Sequence, residues 1–141
     1  LYDKVLAAVK EVAEIGAASG IVMAMENHGS TTADQLLSLC KDVDNPYLKF
    51  TLDTGNFPPT SQVGPETYTS IARCASHAAI VHAKFFDVAA DGSDNEFDWH
   101  KIRGVLGDSG YRGFLSVEYE GEDDDEPAVM KRIAGFICTL R

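Results

Sequence analysis

Four residues of metal-binding type stand at matching places in the chain: Glu26 in Met-Glu-Asn-His, Asp53 in Leu-Asp-Thr-Gly-Asn, His82 in Val-His-Ala-Lys and Glu118 in Val-Glu-Tyr. Each comes at the end of a short apolar run that reads as a strand. Three carboxylates and one imidazole make a mostly hard-oxygen set, suited to Mn²⁺, Mg²⁺, Fe²⁺ or Co²⁺ with positions left open for substrate; Zn²⁺ is less typical but compatible. No thiolate belongs to the set. Three carboxylates gathered without a cation would repel one another and raise their pKa values, so their convergence itself calls for a metal. Taken singly, each residue has an ordinary explanation as an exposed acid or a hydrogen-bonded core histidine. Four together, each at a strand's carboxyl end, are expected to meet above one sheet.

The elements that must position these residues follow from hydrophobic periodicity. Residues 4 to 19 carry Val5, Leu6, Val9, Val12, Ala13 and Ile15 at helical spacing, with Gly16 and Gly20 marking the end. Residues 21 to 27 form a non-alternating apolar run, as expected of a strand buried on both faces. Thr32, with Gln35 three residues on, opens a helix through Val43 in the manner of a capping box. Leu48 to Thr54 reads as the second strand, Pro58 and Pro59 break the chain, and Pro65 opens a helix through Ala75. Residues 79 to 86 make the third strand, and Asp98 caps a helix carrying Trp99, Ile102, Val105 and Leu106 that ends near Gly110. Phe114 to Tyr119 is the fourth strand, followed by a helix from Pro127 through Leu140.

Repeated strand-helix units at intervals of about thirty residues imply parallel strands joined by helical crossovers, in an open doubly wound sheet or a (β/α)8 barrel. No GxGxxG follows a strand and no GxxxxGK[ST] occurs, so a nucleotide-binding open sheet has no support. A complete barrel takes roughly 250 residues. The chain's 141 residues and four units therefore predict one α/β domain forming about half of a TIM-barrel-like fold. Such a half exposes two strand edges and an apolar inner face, so a homo-oligomer or a longer parent chain is expected. The first residue, Leu1, opens directly into a helix, which fits the longer chain.

Composition narrows the partners. Lys and Arg number 12 against 22 Asp and Glu, a net charge of −10, which speaks against nucleic acid. No apolar run approaches the roughly 20 residues that span a bilayer, and no signal-peptide pattern begins the chain, so a cytoplasmic protein without membrane contact is expected. Cys40, Cys74 and Cys138 are widely spaced and read as small buried hydrophobes. Of the acids, Glu122 to Glu126 read as a solvated loop entering the last helix at its positive end.

The motifs together resemble the xylose-isomerase-like superfamily of (β/α)8 barrels, a group of sugar isomerases and epimerases, dehydratases and endonuclease IV type nucleases. The resemblance rests on Met-Glu-Asn-His at 25 to 28, Leu-Asp-Thr-Gly-Asn-Phe at 52 to 57, Val-His-Ala-Lys at 81 to 84 and Gly-Phe-Leu-Ser-Val-Glu-Tyr-Glu-Gly at 113 to 121. It covers essentially the whole chain, as the C-terminal half of such a barrel. It implies one divalent metal held by Glu26, Asp53, His82 and Glu118, with Glu26 and Glu118 as the acid/base pair. The implied reaction moves a proton between carbons beside a carbonyl of a sugar or sugar phosphate, through an enediolate that a metal stabilises. A dehydratase acting on an inosose or keto-sugar follows if one glutamate departs from that role, and a non-catalytic barrel fragment if no metal binds.

Several family members carry His three residues after the Asp, where Asn56 stands here. Only His28, His77, His82 and His100 exist, and His77 and His100 fall in helices, so the multi-zinc nuclease branch is not expected. His28, Asn56 and Lys84 are candidates for binding substrate; His28 contacts a substrate hydroxyl or caps the following helix region, and Lys84, two residues after His82 on the same side of its strand, contacts substrate or pairs with a carboxylate. Phe57, Phe85, Phe86 and Tyr119 are candidates for pocket walls, at least two of them for the core instead. Gly55 and Gly121 are expected to allow tight turns after strands.

Overall fold

The computed structural model describes residues 1–58, 63–122 and 125–140. Helices and strands alternate along them: α1 (Tyr2–Ser19), β1 (Met23–Glu26), α2 (Ala33–Val43), β2 (Leu48–Asp53), α3 (Pro65–Cys74), β3 (Ala78–Phe85), α4 (Trp99–Asp108), β4 (Leu115–Tyr119) and α5 (Glu126–Ile137), with a 3-10 turn at Ala75–His77. The expected starts are local and they hold. Thr32 accepts from the Gln35 N–H at 3.2 Å while the Gln35 side chain accepts from the Thr32 N–H at 2.9 Å, completing the capping box. Asp98 accepts from the Lys101 N–H to open α4, and Asp125 with Pro127 opens α5. Pro59, Asp123 and Asp124 lie outside the described residues.

Among the described residues the three strand pairings are parallel, and the strands stand side by side in chain order, β1-β2-β3-β4. An order without reversal turns every right-handed crossover the same way, so the helices collect on one face of the sheet. That is a sector of a barrel, not a doubly wound sheet, and four units make half of one. The helix-facing side carries the core: Phe50, Leu52, Val81, Ala83 and Phe85 lie buried under Ile71, Ile102, Val129 and Ile133. Phe85 stacks on Trp99 at 5.0 Å between ring centroids. Burying a side chain of this size contributes roughly 1.5–3 kcal/mol, so this layer carries most of the fold.

The opposite face differs from expectation. Alternate residues on it are Ala24 and Glu26, Thr51 and Asp53, Ile80, His82 and Lys84, then Ser116 and Glu118. Only Ala24 and Ile80 are apolar, because this face is the barrel interior where polar side chains gather. The exposed apolar surface lies elsewhere, on Val5, Val12 and Ile15 of α1 and on Ile21 and Val22 just before β1. Nothing among the described residues covers that flank, so only part of the α1 stripe packs. For the same reason the first strand begins at Met23 rather than residue 21. Phe114 stands outside β4 and is 83% exposed. The cysteines also divide: Cys74 is buried, Cys40 is half-buried, and Cys138, just past the last residue of α5, is exposed.

Candidate metal centre

Glu26 and Asp53 are the last residues of β1 and β2, and Glu118 is the penultimate residue of β4. His82 is not at a strand end; β3 continues to Phe85. Register explains how it still joins the others. Glu26 pairs with Thr51, two residues before Asp53; Asp53 pairs directly with His82; His82 pairs with Ser116, two residues before Glu118. Tilted barrel strands need such a stagger to bring inward side chains to one height. A shift between Phe50 and Thr51, where the partner changes from Ala78 to Ile80, adds one residue to β3. Side chains alternate between faces, so that added residue, Ala79, puts His82 on the same face as Asp53.

The donors meet. One ligand atom each from Glu26, Asp53 and His82 lie within 4.8 Å of one another. His82 Nδ1 stands 3.6 Å from Glu26 Oε1, 3.9 Å from Asp53 Oδ2 and 3.7 Å from Glu118 Oε2. Two of these atoms, His82 Nδ1 and Asp53 Oδ2, are buried without a hydrogen-bond partner. A buried polar atom left without a hydrogen bond costs roughly 1–3 kcal/mol, and two facing each other across carboxylates suit coordination of one cation. The residues therefore fit a divalent metal bound mainly through oxygen.

Lys84 dominates the electrostatics. Its ammonium, 3% exposed, is 2.5 Å from Glu118 Oε2, 2.8 Å from Glu120 Oε1 and 3.2 Å from Asp53 Oδ2, the last without hydrogen-bond alignment. Burial alone would make this ammonium easier to deprotonate, but the hydrogen bonds to Glu118 and Glu120 and the charge of Asp53 hold its pKa above the ordinary range. The hydrogen bond from Lys84 holds Glu118 below the usual carboxylate range. Asp53 moves the other way: burial raises it, against the Gly55 N–H and Lys84.

Three residues that the motifs did not single out hold the frame. Asn27, fully buried, donates from Nδ2 to the Asp53 carbonyl at 2.9 Å and accepts from the Asp53 N–H at 2.8 Å. Its carboxamide takes the place of the next β1 peptide. Thr54 Oγ1 donates to the His82 carbonyl and accepts from the Lys84 N–H, tying β2 to β3 beside the donors. Glu120 shares Lys84. A polar residue directly after an apolar run was the available signal for Asn27 and Thr54.

The residues assigned to substrate are spread around the centre. His28 is exposed, its carbonyl accepting from Thr31. Asn56 is half-buried and its Nδ2 has no hydrogen-bond partner. Lys84 faces carboxylates. Phe57 and Phe85 are core residues, Phe86 stacks against Phe97, and Tyr119 is half-buried. Gly55 and Gly121 do not adopt positive φ; they are small because a Cβ at Gly55 would meet the Lys84 stem, and one at Gly121 the Phe86 carbonyl.

A family model described as xylose isomerase-like TIM barrel matches residues 1–140. Three solved structures share the fold: a xylose isomerase domain protein from Planctomyces limnophilus (TM-score 0.75, 19% identity), D-psicose 3-epimerase with D-tagatose from Clostridium cellulolyticum H10 (0.75, 19%), and a xylose isomerase-like TIM barrel protein from Mycobacterium smegmatis in complex with magnesium (0.73, 20%). Each alignment covers 99% of this chain and 52%, 55% and 51% of those chains respectively, so the chain spans about half their length. No curated protein is significantly similar to it.

Proposed function

Because the chain belongs to the xylose isomerase-like TIM barrel family, we propose that it provides the metal-holding half of a sugar isomerase or epimerase. The observation that carries this reading is the convergence of Glu26, Asp53 and His82, whose ligand atoms lie within 4.8 Å of one another with Asp53 Oδ2 and His82 Nδ1 buried and making no hydrogen bond. Glu26, Asp53, His82 and Glu118 are the ligands, which favours Mn²⁺, Mg²⁺, Co²⁺ or Fe²⁺ over Zn²⁺. When bound, such an ion supplies a Lewis acid for the negative charge that develops on a sugar carbonyl oxygen.

The chain's own residues do the rest. Glu26 and Glu118 lie on the first and last strands, with side chains part-exposed on either side of His82, so each can take or return a proton at a sugar carbon between them. The hydrogen bond from Lys84 holds Glu118 below the usual carboxylate range, so it is ionised at neutral pH. Asn56, whose Nδ2 has no hydrogen-bond partner, and the exposed His28 serve in this reading as donors to sugar hydroxyls. No helix of the described residues is long and apolar enough to cross a membrane.

Thermal unfolding after chelation, then with added Mn²⁺, tests the site. A ligand that binds only the folded state stabilises it by about 2.7 kcal/mol at one hundred times its dissociation constant, and this gain should vanish in His82→Ala and fall in Glu118→Gln. A folded sample that gains nothing would refute the metal site. Ketoses and ketose phosphates incubated in D2O then report the reaction: deuterium at an isomerised or epimerised carbon supports it, whereas loss of water points to a dehydratase.

A further inference from the structure

Lys84 stands where the fourth ligand should be free. The three donors of Glu26, Asp53 and His82 form one group within 4.8 Å, and Glu118 is outside it. The oxygen that Glu118 would offer, Oε2, is the one that Lys84 holds at 2.5 Å, although it is already only 3.7 Å from His82 Nδ1. The ammonium is almost fully buried and its backbone is fixed by Thr54 Oγ1 at 3.1 Å. Its stem runs past Gly55 so closely that no Cβ fits there. Leaving its carboxylates when a second cation arrives would strand an ammonium on a side chain that is almost fully buried. It needs another carboxylate nearby, and Glu120 Oε1 is 2.8 Å away on a half-exposed side chain. The Glu120 N–H is in turn pinned to the Phe85 carbonyl at 2.9 Å.

We propose that Lys84 is the resident cation of the metal-free site, and that Glu120 receives it when Glu118 turns to the metal, so the Lys84–Glu120 pair sets metal affinity. This rests on the metal-site reading above and deepens it, giving Lys84 and Glu120 positioning roles rather than contacts with substrate. Two cations cannot share Glu118 Oε2 without repulsion in a partly buried site. Metal binding thus requires the ammonium to change partner, and the free energy of that exchange belongs to the affinity.

Calorimetric titration of Mn²⁺ into the chelated chain, with Lys84→Met, Glu120→Gln and the double variant, tests it. Lys84→Met frees Glu118 and should tighten binding roughly tenfold, the scale of one charge-assisted hydrogen bond lost from the competing state. Glu120→Gln leaves Lys84 on Glu118 and should weaken binding by a similar factor. The distinguishing result is the double variant: with no lysine to receive, Glu120→Gln should change affinity by less than about twofold. Equal effects of Glu120→Gln in both backgrounds would reduce the pair to general electrostatics and overturn the proposal, as would weaker binding by Lys84→Met. If Lys84→Met does not fold, the half-exposed Glu120→Gln still reads the sign, and unchanged or tighter binding refutes the exchange. Wild-type chain that binds no Mn²⁺ at all would instead sink the metal site itself.

Discussion

Replacing Asn27 by alanine should destabilise the chain far more than its size suggests. A residue in a parallel strand points its N–H and C=O toward the same neighbour. At Asp53 that neighbour is β1, which has already ended at Glu26. Asn27 therefore supplies both partners with one side chain, donating to the Asp53 carbonyl at 2.9 Å and accepting from its N–H at 2.8 Å, at zero exposure. Truncation strands two buried backbone groups at roughly 1–3 kcal/mol each, so a loss of about 4 kcal/mol is expected. With a urea slope of about 1–3 kcal/mol/M, the unfolding midpoint should fall by about 2 M. Asn27→Leu separates the causes, since it fills the space without the hydrogen bonds and should be nearly as damaging. The reasoning fails if Asn27→Ala costs less than about 1 kcal/mol, below the penalty for a single stranded group, or if Asn27→Leu matches the wild-type midpoint.

Other expectations follow from the same structure. Asp53→Asn leaves an oxygen to accept the Gly55 N–H and leaves Lys84 with Glu118 and Glu120, but removes the carboxylate that faces His82; the Mn²⁺ gain in melting temperature should disappear, and a variant that keeps the gain would contradict this. Thr32→Ala breaks the α2 capping box and should cost about 1 kcal/mol in chemical denaturation, a figure near zero showing the cap to be redundant. Iodoacetamide at pH 8 should modify exposed Cys138 first. Burial pushes the Cys74 thiol up to about 11, so only about one part in a thousand is thiolate at that pH; peptide mapping that finds Cys74 labelled as fast as Cys138 in native protein would disprove its burial.

Much of the fold was legible in the sequence because helix periodicity, capping residues and apolar runs are local. Thr32 with Gln35, Asp98 before Trp99, and Pro127 each began the helix expected of them, and of the four polar positions after apolar runs Glu26, Asp53 and His82 lie together while Glu118 is held by Lys84. Where the local signal misled, a distant neighbour was responsible. The α1 stripe looked equally apolar along Val5, Val12 and Ile15, yet only contact can bury a stripe, and those three remain exposed. Cys138 resembled Cys74 in its surroundings but fell one residue past the end of α5.

The amino-acid order alone determined that strands and helices would alternate, that the sheet would be parallel, and that three carboxylates and a histidine would crown it. Only the tertiary structure decided how those groups face one another. The added residue at Ala79 turns His82 to the side of Asp53, and no spacing count within β3 reveals it, because register is settled by pairing with β2. Asn27 clamps a residue 26 positions away, and Lys84 reaches carboxylates 34 and 36 positions away. Such contacts depend on where strands lie side by side, and periodicity is blind to it: a pattern fixes which face a residue shows, while the neighbouring strand fixes what that face meets.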